Sequence, residues 1–212
     1  MKQIFVYGDS LTWGIVPGTR ERLPYDKRWP HVLESRLNQN NDNYRVIENC
    51  LNGRRTAWDD PFKPGRNALA GIEQQMEIFS PLQLIILMLG TNDFQSTHTN
   101  TAWHSAQGIK ALVLAMRRAP IEPTLTIPPI LVVAPPEITE PRGDAVEKFH
   151  DGGNRCAGLA KEYLDICQEL CCHFFDAGSV IRPSPFDGVH LDANGHHKLG
   201  ESLLRQVRKI LD

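Results

Sequence analysis

The sequence has little that would tie it to a polyanion or a bilayer. Its formal net charge over 212 residues is −2 and it carries no long block of Lys and Arg, so it lacks the concentrated positive charge that a nucleic-acid backbone attracts. The N-terminal apolar run, Ile4 to Tyr7, is too short for a signal-peptide core or a membrane span. No nucleic-acid or membrane partner is expected, and a cytoplasmic location follows by default. The five cysteines, Cys50, Cys156, Cys167, Cys171 and Cys172, are odd in number and show no C-x-x-C spacing. They read as reduced thiols, and nothing beside them supplies the activating environment of a Cys nucleophile. Internal repeats and low-complexity tracts are also missing, and the length suits one domain over residues 1–212.

What is present is an alternation of two periodicities. Apolar runs of strand length occur at Gln3–Tyr7, Tyr44–Glu48, Leu84–Leu89, Ile130–Ala134 and His173–Asp176. Between them, helical periodicity spans Pro30–Asn40, Arg66–Phe79, Ala102–Arg118, Gly153–Cys171 and Ala193–Leu211, long enough for crossovers that return the chain parallel. Leu84–Leu89 is apolar without alternation, which fits burial on both faces. The pattern predicts a three-layer α/β/α sandwich around a five-stranded parallel sheet. Ligands of such sheets bind beyond the carboxyl ends of the strands, so the loops there carry the interest. The stretch Pro135–Gly153 is long for a connection, and connections of that length tend to be functional.

One set of residues at those strand ends has the parts of acyl-transfer chemistry. A serine hydroxyl attacks a carbonyl only if a base takes its proton and a third group holds that base in the right tautomer. Ser10 follows the first strand in Gly8-Asp9-Ser10-Leu11, and Asp187 and His190 lie three residues apart after the fifth. The oxyanion formed by attack needs preorganised donors. The backbone N–H groups of Ser10 and Gly53 and the side-chain amide of Asn92 follow three different strands and supply them; Asn donates without bringing a charge to be desolvated.

Gly8-Asp9-Ser10-Leu11, Asn52-Gly53, Gly90-Thr91-Asn92-Asp93 and Asp187-Gly188-Val189-His190 resemble, in order, the blocks of the SGNH (GDSL) hydrolases. Further stretches, Leu11-Thr12-Trp13-Gly14, Arg28-Trp29-Pro30, Asp59-Asp60-Pro61 and Phe174 to Ile181, resemble the bacterial arylesterase/acyltransferase branch. The resemblance implies a flavodoxin-like sheet, Ser10 as nucleophile, His190 as base, Asp187 as its orienting partner, and Ser10, Gly53 and Asn92 as oxyanion hole. It also implies no metal or cofactor, small short-acyl ester substrates (aryl or alkyl esters, acetylated sugars), acyl transfer to alcohols in some members, and homo-oligomers.

Each of these residues also has a plainer explanation. Ser10 can be a helix N-cap, Asp187 an Asx-turn former, and His190 an ordinary loop histidine; the set outweighs them together. Asp9 and Asp93 read as supports for backbone N–H groups, and Asp192 as the N-cap of the last helix. His196 and His197 are adjacent on a helix and so point apart, which disfavours a shared metal. Trp13, with Ile15 and Val16, is expected to wall the acyl pocket. Arg54 and Arg55 each read either as a solvated charge or as a contact to an anionic or polar leaving group, at least one of them being solvated, and Arg54 is the candidate substrate contact. Two rival functions remain, a metal-dependent phosphoesterase and a non-catalytic small-molecule-binding α/β module. Against the first, no D-x-H pair follows the first strand, and no histidine follows Asn92-Asp93.

Overall fold

Leu84–Met88 and Ile130–Ala134 are buried at every position, which only interior strands of a sheet covered on both faces can satisfy. In the computed structural model, which describes residues 1–212, they are β3 and β4. The other strands are β1 (Lys2–Gly8), β2 (Tyr44–Cys50) and β5 (His173–Asp176). All pair in parallel, in the order β2-β1-β3-β4-β5. The helices are α1 (Ser10–Trp13), α2 (Trp29–Leu37), α3 (Ile72–Phe79), α4 (Ala102–Arg118), α5 (Ala145–Lys148), α6 (Gly152–Cys156), α7 (Leu159–Glu169) and α8 (Ala193–Leu211).

Because side chains alternate along a strand, each strand feeds two cores. Phe5, Ile85, Leu87 and Val132 meet Ile72 and Met76 of α3, Ile109 and Leu112 of α4 and Tyr163 of α7. On the opposite face, Ile4, Val6, Ile86 and Val133 meet Trp29 and Leu33 of α2 and Leu199 and Leu203 of α8. The result is the three-layer α/β/α sandwich. The chain moves outward from β1 to β2, then crosses to the other side of β1 for β3. That reversal opens a crevice at the carboxyl ends of β1 and β3.

Two helical stretches are shorter than the periodicity predicts, and tertiary hydrogen bonds explain both. Residues 66–71 do not join α3, because the Arg55 N–H donates to the Arg66 carbonyl at 2.8 Å and the Ala68 N–H to the Arg55 carbonyl at 3.1 Å. This backbone is engaged with the loop after β2. The stretch 153–171 breaks between α6 and α7, where Ala157 leaves helical geometry with ψ of 130° and the Gly158 N–H donates to Glu137 Oε1 at 2.8 Å. The long connection after β4 carries α5 and lies against the loop after β5: the Thr139 N–H donates to the Gly188 carbonyl at 3.0 Å and the Arg142 N–H to the Asp187 carbonyl at 3.1 Å.

Helices α2 and α8 approach closely at Gly200, where a Cβ would lie 2.7 Å from Val32 Cβ and 2.8 Å from the Trp29 carbonyl. Gly200→Val is therefore expected to lower stability by about 1–3 kcal/mol, the usual cost of overpacking. Urea unfolding checks this; an unchanged midpoint would mean the two helices separate freely.

Candidate active site

Strand β1 ends at Gly8, where a Cβ would sit 2.5 Å from Thr12 Oγ1 and 3.3 Å from the Met88 carbonyl. Close packing demands the glycine there. Asp9 rather than Ser10 caps α1, since its Oδ1 accepts the Leu11 N–H at 2.9 Å. The Ser10 hydroxyl is thus released from capping, and it lies 3.1 Å from His190 Nε2.

The turn after β5 holds the histidine from behind. Asp187 Oδ1 accepts the N–H groups of Val189 at 2.9 Å and His190 at 2.8 Å, and its Oδ2 lies 2.7 Å from His190 Nδ1. An ionised carboxylate only accepts, so Nδ1 carries the proton and Nε2 presents a lone pair to Ser10. Burial alone would raise the Asp187 pKa, but the His190 ring bond and the two backbone N–H groups outweigh it and lower it to about 2. Gly188 has φ of +74°, and a Cβ there would stand 2.2 Å from the Glu140 carbonyl. The long connection after β4 therefore fits only over a glycine.

The three expected donors come from adjacent strands. The loop after β2 is docked on β1 by the Leu51 N–H, which donates to the Gly8 carbonyl at 3.1 Å, and the backbone N–H groups of Ser10 and Gly53 donate to no acceptor within the protein. Asn92, after β3, donates one amide N–H to Asp9 Oδ2 at 2.9 Å, which leaves the other for a ligand. Asp93 is buried and accepts the Thr56 N–H at 2.9 Å, the Thr56 hydroxyl at 2.8 Å and the Ser105 hydroxyl at 2.6 Å. Both acids are supports, as their positions suggest. Burial pushes each pKa up to about 6 against the hydrogen bonds that favour the charge.

Arg54 does not face a ligand. Its Nη1 donates to the Gly8 carbonyl at 2.9 Å and the Asn49 carbonyl at 2.6 Å, its Nη2 to Asn49 Oδ1 at 3.0 Å, and the guanidinium lies 4.0 Å from the centroid of the Tyr7 ring. The expectation of substrate contact is corrected: the group is consumed in joining β1 to β2. Arg55 is fully buried. A cavity of about 180 Å³ beside Asp187 and His190 is walled by Arg20, Lys148, Phe149 and Phe186. Trp13 is not part of that wall; its half-buried ring lies under the Arg22 guanidinium at 4.6 Å.

Sequence reasoning overlooked Gln95, whose Nε2 donates to Asn92 Oδ1 at 2.6 Å. The i,i+3 spacing in a tight turn was the available signal. His196 is a core residue, its Nδ1 accepting the Trp29 N–H at 3.2 Å and its pKa lowered to about 3 by burial, whereas His197 is exposed beside Glu201. Asp192 caps α8 through the Gly195 N–H at 2.7 Å. No group of three or more His, Cys, Asp and Glu side chains is gathered as metal ligands would be. Burial raises the Cys156 and Cys167 pKa values to about 11 and about 12, so these thiols stay protonated at neutral pH. No helix is long and apolar enough to cross a membrane.

Ser10, His190 and Asp187 thus stand in line beyond the strand ends of a parallel α/β sandwich. The sequence profile described as the GDSL-like lipase/acylhydrolase family matches residues 6–198. The chain belongs to that family and is an esterase/acylhydrolase. Among curated proteins no sequence match is found. Among solved structures, a carbohydrate acetylesterase family member from Sinorhizobium meliloti is 40% identical, with a TM-score of 0.93 over 100% of this chain and 99% of that one. The native aryl esterase of M. smegmatis is 34% identical, with a TM-score of 0.94 over 100% of both chains. A second Sinorhizobium meliloti carbohydrate acetylesterase, Est24, is 30% identical, with a TM-score of 0.92 over 99% of both.

The lowered pKa of Asp187 carries a stability consequence. A carboxylate depressed in the folded state stabilises the fold above its unfolded pKa, near 3.8, and loses that contribution as the pH falls through about 2. Asp187→Asn is expected to be less stable than wild type from neutral pH down to about 4, with the deficit closing toward pH 2. Urea midpoints of both proteins across that range check it; a deficit independent of pH would refute the linkage.

Proposed function

We propose that the protein is a serine esterase that cleaves small esters of short acyl chains through an acyl-Ser10 intermediate. The observation that carries the reading is the continuous line from Asp187 Oδ2 through the His190 ring to Ser10 Oγ, with contacts of 2.7 and 3.1 Å. As Oγ attacks the ester carbonyl, its proton passes to His190 Nε2, and Asp187 stabilises the imidazolium that forms. The developing oxyanion is received by the otherwise unengaged N–H groups of Ser10 and Gly53 and by the free N–H of Asn92. His190 then protonates the leaving alcohol. Water, activated by the same histidine, releases the acid and restores Ser10. An alcohol in place of water gives acyl transfer by the same steps.

The small cavity beside His190 suits a short acyl chain or a compact alcohol. Aryl and alkyl esters and acetylated sugars are the substrates we assign. The resemblance to arylesterases and carbohydrate acetylesterases supports this range.

Ser10→Ala is expected to lower turnover of p-nitrophenyl acetate by on the order of 10⁴ or more with the urea midpoint preserved. A folded variant that keeps its turnover would sink the proposal. Incubation with an organophosphonate is expected to phosphonylate Ser10 in the wild type; an unlabelled Ser10 would favour a binding module without catalysis.

A further inference from the structure

An asparagine in an oxyanion hole works in only one orientation. Turned over, its amide would aim a carbonyl oxygen at the developing negative charge. We infer that Gln95 and Arg55 are positioning residues that fix the Asn92 amide with its NH₂ toward the reacting carbonyl, an inference that rests on the acyl-Ser10 reading above.

The polarity of the chain of side chains follows from its two ends. Arg55 Nη2 donates to Gln95 Oε1 at 2.9 Å, Gln95 Nε2 donates to Asn92 Oδ1 at 2.6 Å, and Asn92 Nδ2 donates to Asp9 Oδ2 at 2.9 Å. A guanidinium only donates and an ionised carboxylate only accepts. Gln95 must therefore turn its oxygen to Arg55 and its NH₂ to Asn92. Asn92 in turn must give its oxygen to Gln95 and keep both N–H groups for Asp9 and the substrate. All four residues are at most 4% exposed, so water does not compete for these bonds.

Arg55 is an expensive way to fill space. Its side chain is fully buried, the carboxylate it meets, Asp60 Oδ2, lies at 3.3 Å, and its Nε and Nη1 have no partner. An apolar side chain of similar volume would serve packing as well or better. Its other partner is Thr97 Oγ1 at 2.7 Å; Gln95 is the contact that leads toward Ser10.

Gln95→Glu separates positioning from packing. The glutamate keeps the shape and the bond to Arg55 but has no N–H to give Asn92 Oδ1. With p-nitrophenyl acetate, kcat is expected to fall about 10- to 100-fold, short of the roughly 10²–10³ cost of deleting an oxyanion donor, while KM stays within about twofold. Phosphonylation of Ser10 should slow in parallel. Gln95→Met, equally without a donor, should give the same split and serves if the glutamate variant does not fold. Wild-type kcat in either folded variant overturns the positioning role, as does a change confined to KM. Failure of the parent reading is visible separately, as a wild-type Ser10 that is not phosphonylated.

Discussion

The site depends on a buried carboxylate that binds in two directions. Asp9 Oδ1 caps α1 and its Oδ2 holds the amide of Asn92. Because Asp9 takes the capping task, the Ser10 hydroxyl is free to meet His190. Because its second oxygen reaches across to the loop after β3, the ends of β1 and β3 are joined by a polar link as well as by the strand ladder. This is possible only where β1 and β3 are neighbours, and the crossover from β2 over β1 to β3 makes them so. Topology supplies the crevice, and Asp9 sets what projects into it.

Strands β3 and β4 were legible because burial on both faces leaves unbroken apolar runs, and β4 begins and ends where its run does. The helices were legible as amphipathic stretches, but their ends were not. The starts of α3 and α7 are decided by bonds to Arg55 and Glu137, residues distant in sequence whose approach no local pattern encodes. At the candidate site, Ser10 and Asn92 could be picked out because they follow β1 and β3 closely, and Asp187 and His190 because they lie three residues apart in the loop after β5. Arg54 was misread for an instructive reason. A charged residue on a loop ordinarily faces water, and only the folded position of Tyr7 and of the Gly8 and Asn49 carbonyls draws it inward. The link from Arg55 to Gln95 escaped notice because donor and acceptor roles along a chain of side chains exist only once tertiary contacts are formed.

The carboxylates around the site differ in what burial does to them, and the difference follows their tasks. Asp187 receives enough N–H groups to hold its charge down to about pH 2, so it can orient a histidine over any working pH and stabilises the fold while doing so. Asp9 and Asp93 are more deeply buried and have pKa values raised to about 6. For them the sign is opposite: the stability they contribute when protonated is fully present below about 4 and is lost as the pH rises through 6. At neutral pH the molecule therefore keeps two costly charges inside. For Asp9 the cost has a structural return, because only the ionised form is purely an acceptor and can dictate which way the Asn92 amide faces. A protonated Asp9 would become a donor and remove one of the two constraints on that amide, leaving Arg55 and Gln95 as the other. The network is thus fixed at both ends by groups of opposite and unambiguous polarity, and an apolar core of equal volume, though more stable, would leave Asn92 free to turn.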